Sequence, residues 1–182
     1  MLEKGKMKMK KGIVVIDMQN DFIDGVLGTK EAQAIVPNVV KFLDETVFND
    51  IMVTMDTHYE NYMETLEGKK LPVRHCIYGS DGWRLNNEVH KALQRIPLRY
   101  SEFTKSTFGS TSLAEYIREE KFDEIIIMGL CTDICVVSNA LLIRAYCPDL
   151  VIKVKADCCA GVTPETHDAA LKTMQMCQIE VI

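Results

Sequence analysis

The residues with the most chemical potential are Cys135, Asp17 and Lys105. Cys135 lies in Gly129-Leu130-Cys131-Thr132-Asp133-Ile134-Cys135-Val136, after an apolar run at 125–128 that reads as a buried strand. The apolar-periodic segment 136–145 that follows reads as a helix. A thiol at such a strand-to-helix turn sits in the first helical turn, where the helix dipole and nearby backbone N–H groups favour the thiolate. The plainer reading is a buried cysteine acting as a small hydrophobe. Asp17 follows another apolar run, and Lys105 is expected in a loop at 101–111. Alone, the first reads as a cap or loop acid and the second as a solvated charge. Together they suit acyl transfer. A thiolate attacks a carbonyl, and a carboxylate takes the thiol proton and later activates water. The lysine keeps the carboxylate ionised and lowers the thiol pKa. Two N–H groups in the 130–135 turn could hold an oxyanion.

A second group is Asp56-Thr57-His58, with His75 beyond it. Residues i and i+2 of an extended segment point to one side, so Asp56 and His58 can reach one ion. One carboxylate and two imidazoles suit Zn²⁺, Fe²⁺ or Mn²⁺. Glu67 or Glu64 could add a ligand. A histidine that merely caps its loop is the alternative. His90 and His167 are not assigned to the metal.

The elements that would position these groups alternate between strands and helices. Strands are expected at 12–16, 50–55, 96–100, 124–128, 150–156 and 179–182. Helices are expected at 31–48, 88–95, 113–120, 136–145 and 164–177, the first with Pro37 early in it. The last begins with Pro164 after a candidate N-cap, Thr163. Residues 57–83 form a polar, glycine-punctuated connection too long to be ordinary. The order implies an α/β fold: a three-layer, doubly wound, mostly parallel six-stranded sheet with helices on both faces. Ligands of such sheets bind at the carboxyl ends of strands. Asp17, Asp56, Lys105 and Cys135 all fall there.

A chain of 182 residues with 47% hydrophobic and 26% charged content suits one domain. Residues 1–11 are expected as a flexible lead-in and 12–182 as the domain. The formal net charge of −5 gives no basic footprint, so nucleic acid is not an expected partner. No apolar run is long enough for a membrane span and no secretory signal is expected. Seven cysteines without a CxxC pair point to a reducing cytoplasm rather than a redox motif or zinc ribbon.

With those residues in view, the chain resembles the isochorismatase-like cysteine hydrolases, and among them the nicotinamidase/pyrazinamidase group. The resemblance covers nearly the whole domain. It is carried by Val15-Ile16-Asp17-Met18-Gln19-Asn20-Asp21-Phe22, Asp56-Thr57-His58, Leu71-Pro72-Val73-Arg74-His75-Cys76, Phe103-Thr104-Lys105 and the segment from Gly129 to Val136. It implies that Asp17, Lys105 and Cys135 form a catalytic triad. It places a cis peptide bond at Leu130-Cys131, aiming the Cys131 N–H into an oxyanion hole beside that of Cys135. It makes Asp56, His58 and His75 metal ligands, and Phe22 an aromatic that packs on the substrate ring. The implied reaction is nicotinamide and water to nicotinate and ammonia, a step of NAD salvage. The group also implies a homo-oligomer. Some members carry a tryptophan shortly before the second metal histidine, where this chain has Pro72, Val73 and Arg74; its only tryptophan is Trp83.

The expected function is thus a metal-assisted cysteine amidohydrolase acting on nicotinamide or a similar small aromatic amide through a thioester. Two alternatives are a metal-free amidohydrolase of the same fold acting on an N-carbamoyl or ureido substrate, and a non-catalytic binding module. The chain lacks G-x-G-x-x-G and a Walker loop, which weakens nucleotide binding.

Overall fold

A computed structural model describes residues 9–182. Of the lead-in expected at 1–11, residues 1–8 lie outside the described residues. Lys10 and Lys11 are not loose. The Lys10 backbone N–H donates to Asp123 (2.7 Å), its ammonium meets Glu120 (2.6 Å), and Lys11 opens the first strand.

The described residues form a six-stranded sheet in which every pairing is parallel, ordered β3-β2-β1-β4-β5-β6. The strands are β1 (Lys11–Ile16), β2 (Asp50–Asp56), β3 (Tyr100–Lys105), β4 (Glu124–Leu130), β5 (Val151–Ala160) and β6 (Glu180–Val181). Ile13 to Ile16, Ile51 to Val53, and Ile125, Ile127 and Met128 are buried. Such near-continuous apolar runs are what strands covered on both faces require.

The main helices are α2 (Lys30–Glu45), α4 (Asn87–Arg95), α5 (Thr111–Glu120), α6 (Val137–Tyr146) and α7 (Pro164–Met176), with short α1 (Asn20–Ile23) and α3 (Leu66–Lys70). Helices α2 and α4 pack together on one face, while α5, α6 and α7 form a chain of contacts on the other. Right-handed crossovers that run outward from β1 and then restart at β4 produce this division. The strand order therefore reverses between β1 and β4, and a crevice opens at their carboxyl ends.

Several boundaries differ from the sequence reading. The third strand begins at Tyr100, where the pattern ended it, and runs to Lys105. Half-buried Ser101 and Phe103 alternate there with exposed Glu102 and Thr104, which marks an edge strand and hid it among loop polarity. Helix α2 stops at Glu45, leaving Val47 exposed. Pro37 is interior to α2, whose true start is capped by Thr29 accepting from the Ala32 N–H (3.0 Å). Strand β5 runs through Asp157 to Ala160, because a register shift between Ile127 and Gly129 lets Gly129 and Leu130 pair with Cys159 and Ala160. The 57–83 connection holds a 3₁₀ turn (Tyr62–Glu64) and α3. Thr163 caps α7 in a reciprocal box with Thr166.

Gly129 sits at the reversal point with φ 122°, and a Cβ there would lie 2.1 Å from the Ile16 carbonyl oxygen. Only a residue without a side chain lets β4 approach β1 so closely. Gly129→Ala is expected to lower unfolding stability by about 2–4 kcal/mol, read as a drop in the thermal midpoint.

Candidate active site

The chain leaves β1 at Asp17 with φ 45°, a left-handed conformation that aspartate tolerates better than most residues. The Asp17 N–H donates to Thr54 Oγ1 (3.2 Å), and the Thr54 hydroxyl donates to Asp17 Oδ1 (2.6 Å). The other carboxylate oxygen faces Lys105 Nζ at 2.6 Å. Lys105, the last residue of β3, reaches across β2 and also lies 3.5 Å from Cys135 Sγ and 3.6 Å from Asp56 Oδ1. The Thr57 N–H donates to the Lys105 carbonyl oxygen (2.7 Å), which anchors its backbone. The three side chains proposed from sequence meet although Asp17 lies just after β1, Lys105 at the end of β3 and Cys135 in the turn after β4.

Lys105 is not in a loop and not solvated: its side chain is 2% exposed. Burial would lower its pKa, yet Asp17, Cys135 and Asp56 outweigh that and raise it. It stays an ammonium. Burial also raises Asp17, and Lys105 only partly opposes the rise. Cys135 is pushed well above the ordinary thiol range, by burial first and by the Asp17 charge next, against Lys105. Burial and the Asp17 charge thus oppose the thiolate that the helix start and Lys105 favour. Both Cys135 and Asp17 are held at raised proton affinity beside one ammonium.

Cys135 lies in a π-helical turn, Thr132–Val136, and α6 begins only at Val137. The Ile134 and Val136 N–H groups both donate to the Cys131 carbonyl oxygen (3.1 and 3.0 Å). The Leu130–Cys131 peptide is cis. Asn139, buried in α6, was missed by the sequence reading. Its amide donates to the carbonyl oxygens of Cys135 (2.7 Å) and Phe108 (3.0 Å), and its oxygen accepts the Ser110 N–H (2.9 Å). This ties the cysteine turn to the segment after β3. A polar residue in an apolar helix pattern was the available signal.

Asp56, His58 and His75 form the second cluster. One ligand atom from each lies within 4.8 Å of the others, and all three residues are buried. His58 Nε2 is 3.1 Å and His75 Nε2 3.4 Å from Asp56 Oδ2. His75 Nδ1 lies 2.8 Å from the Val73 carbonyl oxygen, which orients Nε2 inward. Buried His58 Nε2 has no hydrogen-bond partner among the described residues. Burial would raise Asp56, but the two imidazoles beside it and the Lys105 charge hold it well below the usual carboxylate range. A permanently ionised carboxylate, two converging imidazoles and an orphaned ring nitrogen fit a divalent cation. Glu67 Oε1 stands 3.8 Å from His58 Nε2 and 3.7 Å from His75 Nε2. Glu64 is exposed on the 3₁₀ turn and does not line the pocket. His90 instead contacts Gln94, and His167 pairs with Thr132 (2.8 Å).

Buried Gln19 was also missed. Its oxygen accepts the Asp56 N–H (2.7 Å) and its amide donates to the carbonyl oxygens of Asp56 and Trp83 (2.8 Å each). It holds the metal-side backbone against the start of α1. Asp21 accepts the Cys76 N–H (2.7 Å), securing the segment after His75. Phe22 packs near His75 with ring centroids 5.6 Å apart, and Tyr62 packs on both histidines. Cys135 and the Asp56–His58–His75 cluster line one cavity of about 850 Å³, together with Phe22 and Glu67 among others.

A parallel doubly wound sheet with a buried Asp–Lys–Cys group and an acid–imidazole cluster at its reversal point defines a class of hydrolases. The Isochorismatase domain family matches residues 11–182. The chain belongs to the isochorismatase family. An uncharacterised isochorismatase family protein of Bacillus subtilis is 31% identical, over 90% of this chain and 93% of that one. Nicotinamidase of Escherichia coli is 28% identical, over 91% and 90%. The crystal structure of pyrazinamidase/nicotinamidase from Streptococcus mutans is 28% identical, with a TM-score of 0.81 over 95% of this chain and 100% of that one.

If Glu67 completes the ligand shell and Glu64 does not, Glu67→Ala weakens Zn²⁺ binding by roughly 10- to 100-fold, while Glu64→Ala leaves it unchanged. Calorimetric titration of the metal-stripped protein measures both.

Proposed function

We propose that the protein hydrolyses nicotinamide, or a similar small aromatic amide, to the acid and ammonia. The observation that carries this is the single ammonium of Lys105 shared between Asp17 (2.6 Å) and Cys135 (3.5 Å), with Cys135 lining a pocket that the Asp56–His58–His75 cluster also lines.

In the proposed reaction Asp17 takes the Cys135 proton as sulfur attacks the carboxamide carbon. A high thiol pKa and a carboxylate raised by burial suit direct transfer between them. The backbone N–H groups of Cys131 and Cys135 are the proposed donors to the tetrahedral oxygen. Asp17 returns the proton to nitrogen, the C–N bond breaks, ammonia leaves and a thioester remains. Asp17 then removes a proton from water, which adds to the thioester carbonyl. Collapse of that adduct releases the acid, and the Cys135 sulfur regains its proton. Lys105 remains charged throughout and keeps the buried Asp17 stable in its ionised state.

Asp56, His58 and His75, with Glu67 beside them, are the proposed ligands of a divalent ion, zinc from the nature of the donors. When bound, the ion supplies a Lewis-acid contact for the nitrogen of a pyridine or pyrazine ring, which orients the carboxamide towards Cys135. Phe22 is the proposed packing surface for that ring. The ureido alternative gives the buried cluster no task, and a binding module gives none to the Asp17–Lys105–Cys135 contact. Seven free cysteines suit a reducing compartment, so the cytoplasm is the proposed place of action. Among the described residues no helix is long and apolar enough to cross a membrane.

Ammonia release from nicotinamide tests the reading. Cys135→Ala and Asp17→Asn are each expected to lower kcat by at least about 10³-fold, since both are needed in one step. Full activity in Cys135→Ala would refute the nucleophile. Chelation should raise KM or abolish turnover, and added Zn²⁺ should restore it; indifference to chelator removes the metal from the reaction.

A further inference from the structure

The cavity is far larger than the substrate just proposed. Nicotinamide is one ring and one carboxamide. A space of about 850 Å³ belongs to the range of about 300–1,000 Å³ that encloses drug-sized ligands. Its floor is polar and reactive, built from the metal cluster and Cys135. Much of the remaining wall is apolar, contributed by Leu27, Leu66, Leu71, Phe108, Ile134 and Val162. These come from unconnected segments: the loop after α1, both ends of α3, the stretch after β3, the cysteine turn and the approach to α7. Three of them are conspicuously bare, with Leu66 71%, Val162 50% and Phe108 48% exposed.

Apolar side chains gathered around one cavity stay hydrated until an apolar group covers them. A bare ring amide on the floor would leave them wet. It would also leave water in place of the dry surroundings that strengthen charge interactions at a reacting centre. A ligand that also reaches the wall removes both penalties.

We infer that this wall is a second chamber for an apolar substituent on the substrate ring, so that the preferred substrates are ring-extended heteroaromatic carboxamides. The inference rests on the reading of the floor given above. That reading also selects the point of extension. A substituent next to the ring nitrogen meets the Asp56–His58–His75 cluster, and one next to the carboxamide crowds Cys135. The ring carbon meta to both is free, which is position 5 of nicotinamide.

The test is kcat/KM for ammonia release from nicotinamide and its 5-methyl, 5-ethyl and 5-propyl derivatives, with the metal-loaded enzyme. Burial of each added carbon is expected to raise kcat/KM by about fourfold. Leu66→Ser combined with Val162→Ser, two changes at exposed positions, should cut the propyl-to-nicotinamide ratio by roughly three- to tenfold. Turnover of nicotinamide with kcat/KM flat or falling along the series overturns the chamber and leaves the floor reading intact. A rising series that ignores the double variant also overturns it, because the substituent then lies elsewhere. Absence of ammonia from every member overturns the floor reading, and the chamber with it.

Discussion

The site depends on one buried ammonium. Lys105 is enclosed at the end of an edge strand, where an unpaired charge would be untenable. Asp17 at 2.6 Å compensates it, with Asp56 and the Cys135 sulfur at 3.5–3.6 Å. Removing one partner of a buried pair typically costs about 3–5 kcal/mol, because the other charge is left uncompensated. The ammonium therefore binds three strands and the cysteine turn into one electrostatic unit. It also links the cysteine side of the pocket to the metal side, since Asp56 belongs to both.

That unit is held by neutral hydrogen bonds one layer further out. Thr54 fixes one oxygen of Asp17, Gln19 grips the backbone of Asp56, and Asn139 joins Cys135 to the chain after β3. Each is a buried polar residue, and each fills its hydrogen-bonding capacity with backbone groups or charged partners. Such residues add direction to a core whose apolar packing has none. Gly129 does the same by omission: its missing side chain lets β4 lie against β1 where the strand order reverses.

The balance of charge also corrects a simple view of the nucleophile. A helix start and a nearby lysine suggest a thiolate. Inside this pocket desolvation and the Asp17 carboxylate outweigh both. Both groups gain proton affinity beside the same ammonium, so reactivity resides in the pair rather than in either group.

Much of this was legible in the sequence. Apolar runs ending in Asp17, Asp56 and the Gly129 segment marked parallel strands whose carboxyl ends carry chemistry, and alternation with helical periods set the layer order. Period and composition are local properties, so they survive without a structure. The end of α2, the start of β3 and the extra length of β5 were not legible. An edge strand has one open flank and a weak pattern, and β5 is prolonged by pairing with a shifted β4. Only the tertiary structure decided that Lys105 is buried rather than solvated, that Glu67 rather than Glu64 faces His58 and His75, and that Gln19 and Asn139 hold the two clusters in place. Those outcomes depend on distances between residues far apart in the chain, which sequence spacing does not encode.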